Sequence, residues 1–254
     1  MQIIDTHTHL YLEEFQADIE AVIGRARAEG VARFYLPNVD SSSIDGLLKL
    51  EEKYPDCIAM MGLHPCYVKE NVADELKLME EWLRKRPFAA VGEIGLDYYW
   101  DKTFVAQQKD AFRKQINWAL QLNLPIVIHS RDSMQDCIDI VREHQDGDLR
   151  GIFHCFDGTL DEAKQIMDLG FLMGIGGVVT YKKSGLADIL PSIPLEYLVL
   201  ETDAPYLTPV PFRGKRNEPS YLKYVAAKMA EAMDVPVEEI AMQTTLNAEK
   251  LFGS

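Results

Sequence analysis

Short apolar runs alternate with longer amphipathic ones along nearly the whole chain. Eight runs carry little polar alternation: QIID (2–5), RFYLPN (33–38), CIAMMGL (57–63), FAAVGEI (88–94), PIVIHS (125–130), GIFHC (151–155), FLMGIG (171–176) and YLVLET (197–202). Continuous Val, Ile, Phe and Leu of this kind predict strands covered on both faces. Between them, apolar residues recur at three- and four-residue spacing. FQADIEAVIGRARAEG (15–30) ends at Gly30, VAQQKDAFRKQINWALQLN (105–123) precedes Pro125, and TLDEAKQIMDLG (159–170) opens with Thr159, has Glu162 three residues on and closes at Gly170. A Thr cap with Glu at the third helical position and a terminal Gly are helix start and stop signals. Two further helices are expected near 219–232 and 236–252. Eight strand–helix units in 254 residues predict one α/β domain, 1–254, folded as a (β/α)8 TIM-type barrel. A doubly wound open sheet is the alternative, weakened because no GxGxxG follows the first strand.

Composition narrows the class. A 47% hydrophobic content supports a sizeable core, and no uninterrupted apolar stretch reaches membrane-spanning length. The N-terminus lacks a basic region followed by an apolar run, so no signal peptide is read and a cytoplasmic location is expected. Cys57, Cys66, Cys137 and Cys155 are scattered without a CxxC pair, which argues against a zinc ribbon and for reduced thiols. A net charge of −14 argues against a protein that coats nucleic acid non-specifically, since such binding comes from neutralising phosphates. It leaves room for a local basic pocket.

The polar residues then change the picture. In MQIIDTHTHL, Asp5, His7 and His9 occupy alternate positions behind the first strand, and alternate side chains of an extended strand project together. That pattern suits a divalent metal or a polar turn. The other strand ends carry His64; Glu93, with Asp97 beyond; His129 and Arg131; His154; and Glu201 with Asp203. Five of the six histidines fall at strand ends, where barrels place their active sites; His144 reads as surface. Four imidazoles, Glu93 and Asp203 converging on one mouth are hard to solvate without metal. Asp5 is expected to orient a ligating imidazole or to be a ligand itself, and Glu201 to stand behind the ligands.

These residues resemble the TatD family of metal-dependent hydrolases, a branch of the amidohydrolase-like barrels. The resemblance runs end to end through DTHTHL (5–10), GLHP (62–65), GEIGLDYY (92–99), IHSRD (128–132), HCFDG (154–158), ETDAPYL (201–207) and RGKRNEP (213–219). Asp157 departs from the family's usual Ser and puts only that loop's contacts in question. The resemblance implies two divalent cations: His7, His9, Glu93 and Asp203 on one, Glu93, His129 and His154 on the other, with Glu93 bridging. Mixed imidazole and carboxylate ligands suit Zn²⁺, Mn²⁺ or Co²⁺, and Mg²⁺ remains compatible with a phosphate-bearing substrate.

The expected reaction is hydrolysis of a phosphodiester by metal-activated water, as in a deoxyribonuclease, with Asp203 taking or orienting the water proton. The resemblance adds a 3′-to-5′ direction from strand ends. A metal-dependent amide or ester hydrolase, such as an aminoacyl-tRNA deacylase, is the alternative; a non-catalytic binding protein is disfavoured by the complete ligand set. No obligate protein partner and no membrane are implied. Arg131 suits phosphate, or a structural ion pair. Arg213, Lys215 and Arg216 read as a phosphate-gripping lip or a solvated charge run, with Asn217 and Glu218 fixing the loop or touching sugar and base. His64 is expected to donate to substrate, and Tyr98, Tyr99 and Trp100 to stack on bases or pack the loop.

Overall fold

The computed structural model describes residues 2–253. Eight strands are present: β1 Ile3–Asp5, β2 Val31–Pro37, β3 Cys57–Met60, β4 Val91–Asp97, β5 Ile126–Arg131, β6 Gly151–Phe153, β7 Leu172–Ile175 and β8 Leu198–Leu200. All ladders are parallel, in the orders β1-β2-β3 and β4-β5-β6-β7-β8. Two seams close the ring. Met61 bridges Val91, with the Gly92 N–H donating to Met61 O; across the other seam the Thr6 N–H donates to Leu200 O. The fold is the (β/α)8 barrel.

Helices Ile44–Lys53, Val72–Lys85, Val105–Leu122, Met134–His144 and Leu160–Asp168 pack outside it. At Thr159 the capping box is complete: its hydroxyl accepts from the Glu162 N–H at 3.2 Å, and the Glu162 carboxylate accepts from the Thr159 N–H at 2.7 Å. The helix expected over 15–30 is split into Glu13–Gln16 and Ile19–Ala28, with Asp18 at the break held by Arg216. Between β7 and β8 no long helix forms, only the short turns Gly177–Thr180, Leu186–Ile189, Leu190–Ser192 and Leu195–Tyr197. Pro191 and Pro194 lack the N–H a continuous helix would need there.

Ile4, Tyr35, Met60, Val127, Ile152 and Val199 form the inner apolar cluster of the barrel. The last helix, Val237–Phe252, adds Ala248 and Leu251 to this cluster, and Phe252 stacks on Tyr35 at 3.9 Å. Ile58, Ala89 and Leu172, at or just before the starts of β3, β4 and β7, pack there too, so this helix plugs the end where the strands begin. The other end holds the polar residues. Strand side chains alternate with period two, so an inward apolar residue places the residue two positions on above it. Val127 is followed by His129, Ile152 by His154 and Val199 by Glu201.

Glu93 was expected at the end of its strand. Instead β4 continues to Asp97, because Gly95, Leu96 and Asp97 pair with His129, Ser130 and Arg131. The ladder pairs Gly92 with Val127 and Ile94 with Ile128, leaving Glu93 as an extra residue. Such a bulge re-aims one side chain without ending the strand. Gly95, at φ 137, is required beside it: a Cβ there would lie 2.1 Å from His129 O.

Gly174 makes a second close approach, since its Cβ would stand 2.1 Å from Glu201 Oε2. Gly174→Ala is therefore expected to cost about 2 kcal/mol or more by overpacking, a fall in Tm of about 4–8 °C for a domain of this size. Gly24→Ala, on an exposed helical position with nothing within 4 Å, is expected to raise Tm slightly. Thermal denaturation of both variants checks this; equal effects would remove the role given to Gly174.

Candidate metal centre

The ends of β1 and β8 are cross-bonded. The Asp203 N–H donates to His7 O at 2.9 Å and the His9 N–H to Ala204 O at 2.8 Å. Asp203 adopts φ 55, a left-handed conformation that Asp tolerates better than most residues. These bonds bring His7, His9 and Asp203 to one place although the regular strand ends at Asp5. His7 Nε2 lies 3.3 Å from His9 Nε2, 3.2 Å from Glu93 Oε2 and 3.8 Å from Asp203 Oδ1. His9 Nε2 lies 3.7 Å from Glu93 Oε2 and 3.5 Å from Asp203 Oδ1. Ligands held about 2.0–2.1 Å from a tetrahedral metal stand about 3.3–3.4 Å apart, so this donor set has the spacing of a metal shell.

The other oxygen of Glu93 faces a different group. Glu93 Oε1 lies 2.9 Å from His129 Nδ1, 3.4 Å from His154 Nε2 and 3.4 Å from His64 Nε2. Glu93 thus presents one oxygen to each of two imidazole groups.

The protons on these rings are set by what lies behind them. The Tyr11 hydroxyl donates to Pro37 O at 2.6 Å, so it accepts from His9 Nδ1 at 3.0 Å and leaves the His9 Nε2 lone pair free. Asp97 Oδ2 accepts a hydrogen bond from His129 Nε2–H at 2.9 Å, which leaves Nδ1 to face the centre. Glu201 Oε1 accepts a hydrogen bond from His154 Nδ1–H at 3.1 Å, which leaves Nε2 to face the centre. His64 is the reverse. The Cys66 N–H donates to its Nδ1 at 3.1 Å, so Nε2 carries the proton and points at the centre as a donor. His7 stacks on His154 at 3.6 Å, and its buried Nδ1 has no hydrogen-bond partner among the described residues. Tyr11 extends the alternation of Asp5, His7 and His9 by one step, a signal the sequence reading passed over; Asp97 was noted without a role.

Electrostatics follow from this crowding. Burial pushes Glu93 up, but His64, His7, His154 and His129 outweigh it and hold the carboxyl well below its ordinary range. Asp203 is likewise lowered: burial opposes its charge, and His9, His154 and His7 favour it. Burial also opposes a charge on His154, yet Glu201 and Glu93 push the imidazole up to about 10. Without a metal the carboxylates favour a proton on His129 and His154, whereas burial lowers His7 and His64. A divalent cation satisfies the same carboxylates and takes the imidazole lone pairs, and the chemistry of this donor set fits one.

Three sequence expectations are corrected. Asp5 makes no hydrogen bond to an imidazole ring among the described residues: fully buried, it accepts from the Thr202 N–H at 2.9 Å, the Thr202 hydroxyl at 2.6 Å and the His7 backbone N–H at 3.3 Å, so it ties β1 to the Asp203 turn. Arg216 is not a phosphate grip, because Asp18 engages it bidentately at 2.8 and 2.7 Å and its guanidinium lies over Phe15. Asn217 is fully buried and donates to Thr202 O and Tyr206 O, which folds the loop and keeps its amide from any substrate.

The remaining residues divide. Arg131 has no acidic partner within salt-bridge distance among the described residues; its guanidinium lies over Tyr99 at 4.4 Å and lines the metal cavity. Trp100, 71% exposed, lines that cavity with Tyr67 and Tyr206, whereas Tyr98 is packed through a bond to Asp136. Lys215 extends over Phe212 and does not line the cavity, and Arg213 lies in an adjacent groove. His144 is half-buried, with Nδ1 at 2.9 Å from Ile140 O.

Comparison with known proteins gives the family. The family model described as TatD related DNase matches residues 4–253, and the chain belongs to the TatD family of metal-dependent hydrolases. It is 42% identical to the metal-dependent hydrolase YabD of Bacillus subtilis (strain 168), over 98% of each chain. It is 34% identical to the 3′-5′ ssDNA/RNA exonuclease TatD of Pantoea ananatis (strain LMG 20103), over 99% of each. Among solved structures, the TatD homologue YjjV of Escherichia coli K12 superposes with a TM-score of 0.94 at 32% identity, covering 99% of this chain and 98% of that one. The chain is thus a hydrolase that uses divalent metal.

Two expectations follow. Metal loading displaces imidazole protons, so affinity is expected to rise with pH toward the raised value of His154, about tenfold per unit for each proton released. Calorimetry in buffers of different ionisation enthalpy reads those protons; a binding heat independent of buffer contradicts the account. Tyr11→Phe, which keeps the ring and removes the hydroxyl behind His9, is expected to weaken metal binding by about tenfold or more. Chelator competition measures it, and unchanged affinity would dismiss Tyr11.

Proposed function

We propose that this protein is a two-metal phosphodiesterase that removes nucleotides from the 3′ ends of single-stranded nucleic acid. The observation that carries the reading is Glu93, whose two oxygens face two separate imidazole groups. In this reading His7, His9, Asp203 and Glu93 hold one cation, and Glu93, His129 and His154 hold the other. When bound, the cations supply a water acidic enough to lose its proton near neutral pH and draw charge from the phosphoryl oxygens. Polarity and strand preference rest on the Pantoea ananatis relative, which is named for that activity.

The protein's own groups do the rest. Asp203, held ionised by its imidazole neighbours, takes the proton of the attacking water. His64 donates from Nε2 to a substrate oxygen, a role its Cys66 bond imposes. Arg131 meets a phosphate; its guanidinium rests over Tyr99 without consuming its donors. Tyr67, Trp100 and Tyr206 offer exposed ring faces around a cavity of about 600 Å³, where a terminal base can stack whatever its identity.

Asp203→Asn is expected to lower kcat by on the order of 100-fold with the second cation, the one on Glu93, His129 and His154, still bound. Near-normal turnover would remove Asp203 from the reaction. The reading itself is tested by digesting linear single strands against closed circles of the same sequence, with amide and ester substrates in parallel. Cleavage of linear strands alone is expected. Equal rates on circles would reject the requirement for ends, and hydrolysis confined to amides or esters would reject a phosphodiester substrate.

A further inference from the structure

We infer that Lys182, Lys183 and Arg213 form a phosphate track that carries the retained part of a nucleic-acid strand away from the metals. The inference rests on the strand-end nuclease reading above. Lys182 and Lys183 are exposed in the loop after β7, and Arg213 in the loop after β8. None has an acidic partner within salt-bridge distance among the described residues, in a chain of net charge −14. By contrast, Arg25 and Arg216 nearby are consumed by Glu218 and Asp18.

All three cations line one groove, and a larger cleft borders both that groove and the metal cavity. The groove shares Asp157, Val178 and Ser184 with this cleft, and the cleft shares Arg131, His154 and Asp203 with the metal cavity. The two loops are also tied together. The Val210 N–H donates to the Thr180 hydroxyl at 2.9 Å, and the Tyr181 hydroxyl donates to Thr208 O at 3.0 Å. The Arg213 guanidinium carbon lies over the Tyr181 ring, 3.8 Å from its centroid. Its charge is therefore held in place before any ligand arrives, which reduces the ordering cost of binding.

The cleft between track and metals also carries Asp132 and Asp157, both exposed. Carboxylates there repel phosphates and accept from base amino groups. A strand entering the metal cavity is thus turned with its phosphates toward Lys182, Lys183 and Arg213. A short strand held at few phosphates gives a shallow salt dependence, each contact adding about 0.7 to the slope for single strands.

The test compares two triple variants of equal net charge. One is Lys182→Ala, Lys183→Ala and Arg213→Ala; the other replaces the exposed Lys77, Lys164 and Lys250 by Ala. Fluorescence anisotropy follows binding of an oligothymidylate of about 12 nucleotides with hydrolysis-resistant phosphorothioate linkages, on metal-loaded protein, across a salt series. The track variant is expected to bind at least about tenfold more weakly at low salt, with its slope reduced by about 2, while the control stays within about twofold of wild type. Equal losses in both variants, or none in either, would overturn the track. A wild type that binds strands with this salt dependence but cuts neither DNA nor RNA would keep the track and overturn the nuclease reading.

Discussion

One carboxylate organises this molecule. Glu93 lies at the mouth of the barrel, 2% exposed, with Oε2 toward His7 and His9 and Oε1 toward His129, His154 and His64. A charge so placed is costly unless it is compensated on every side. Much of the surrounding architecture supplies that compensation. The bulge in β4 turns Glu93 inward, the missing side chain of Gly95 lets β5 approach, and β1 and β8 cross-bond so that two histidines and Asp203 face it. Tyr11, Asp97 and Glu201 then orient the imidazoles from behind.

The arrangement separates two kinds of histidine by their backbone surroundings. His9, His129 and His154 each donate from one nitrogen to an oxygen behind the ring and turn the other nitrogen, the one a cation would take, toward Glu93 or Asp203. His64 instead receives a backbone N–H and turns a proton inward. Residues of one type, within a few ångströms, therefore serve opposite chemistry. The same economy appears among the arginines: Arg25 and Arg216 hold the loop after β8 to the helical segments around Asp18, while Arg131 and Arg213 rest on aromatic rings without an acidic partner among the described residues.

The barrel was legible because buried parallel strands write themselves as unbroken apolar runs, and because ligand candidates recur where those runs end. His129, His154 and Glu201 follow from period two above Val127, Ile152 and Val199. What the sequence hid were partners distant in the chain. Asp5 looks like a continuation of the His7–His9 pattern, yet its carboxylate is claimed by Thr202, 197 residues on. Arg216 reads as part of a basic run, but pairing with Asp18 depends on how two loops meet. The bulge that makes Glu93 a mid-strand residue comes from a register shift that no local composition announces. Likewise, nothing local to Lys182 and Lys183 shows that they share a groove with Arg213, about 30 residues on.

The central claim is that the two faces of Glu93 each take a cation. Anomalous diffraction from crystals grown with Mn²⁺, recorded on both sides of its absorption edge, tests it directly. The account predicts two anomalous peaks in each barrel mouth, one among His7, His9 and Asp203 and one between His129 and His154, with Glu93 between them. A single fully occupied peak at saturating metal, or a second peak away from Glu93, would contradict it.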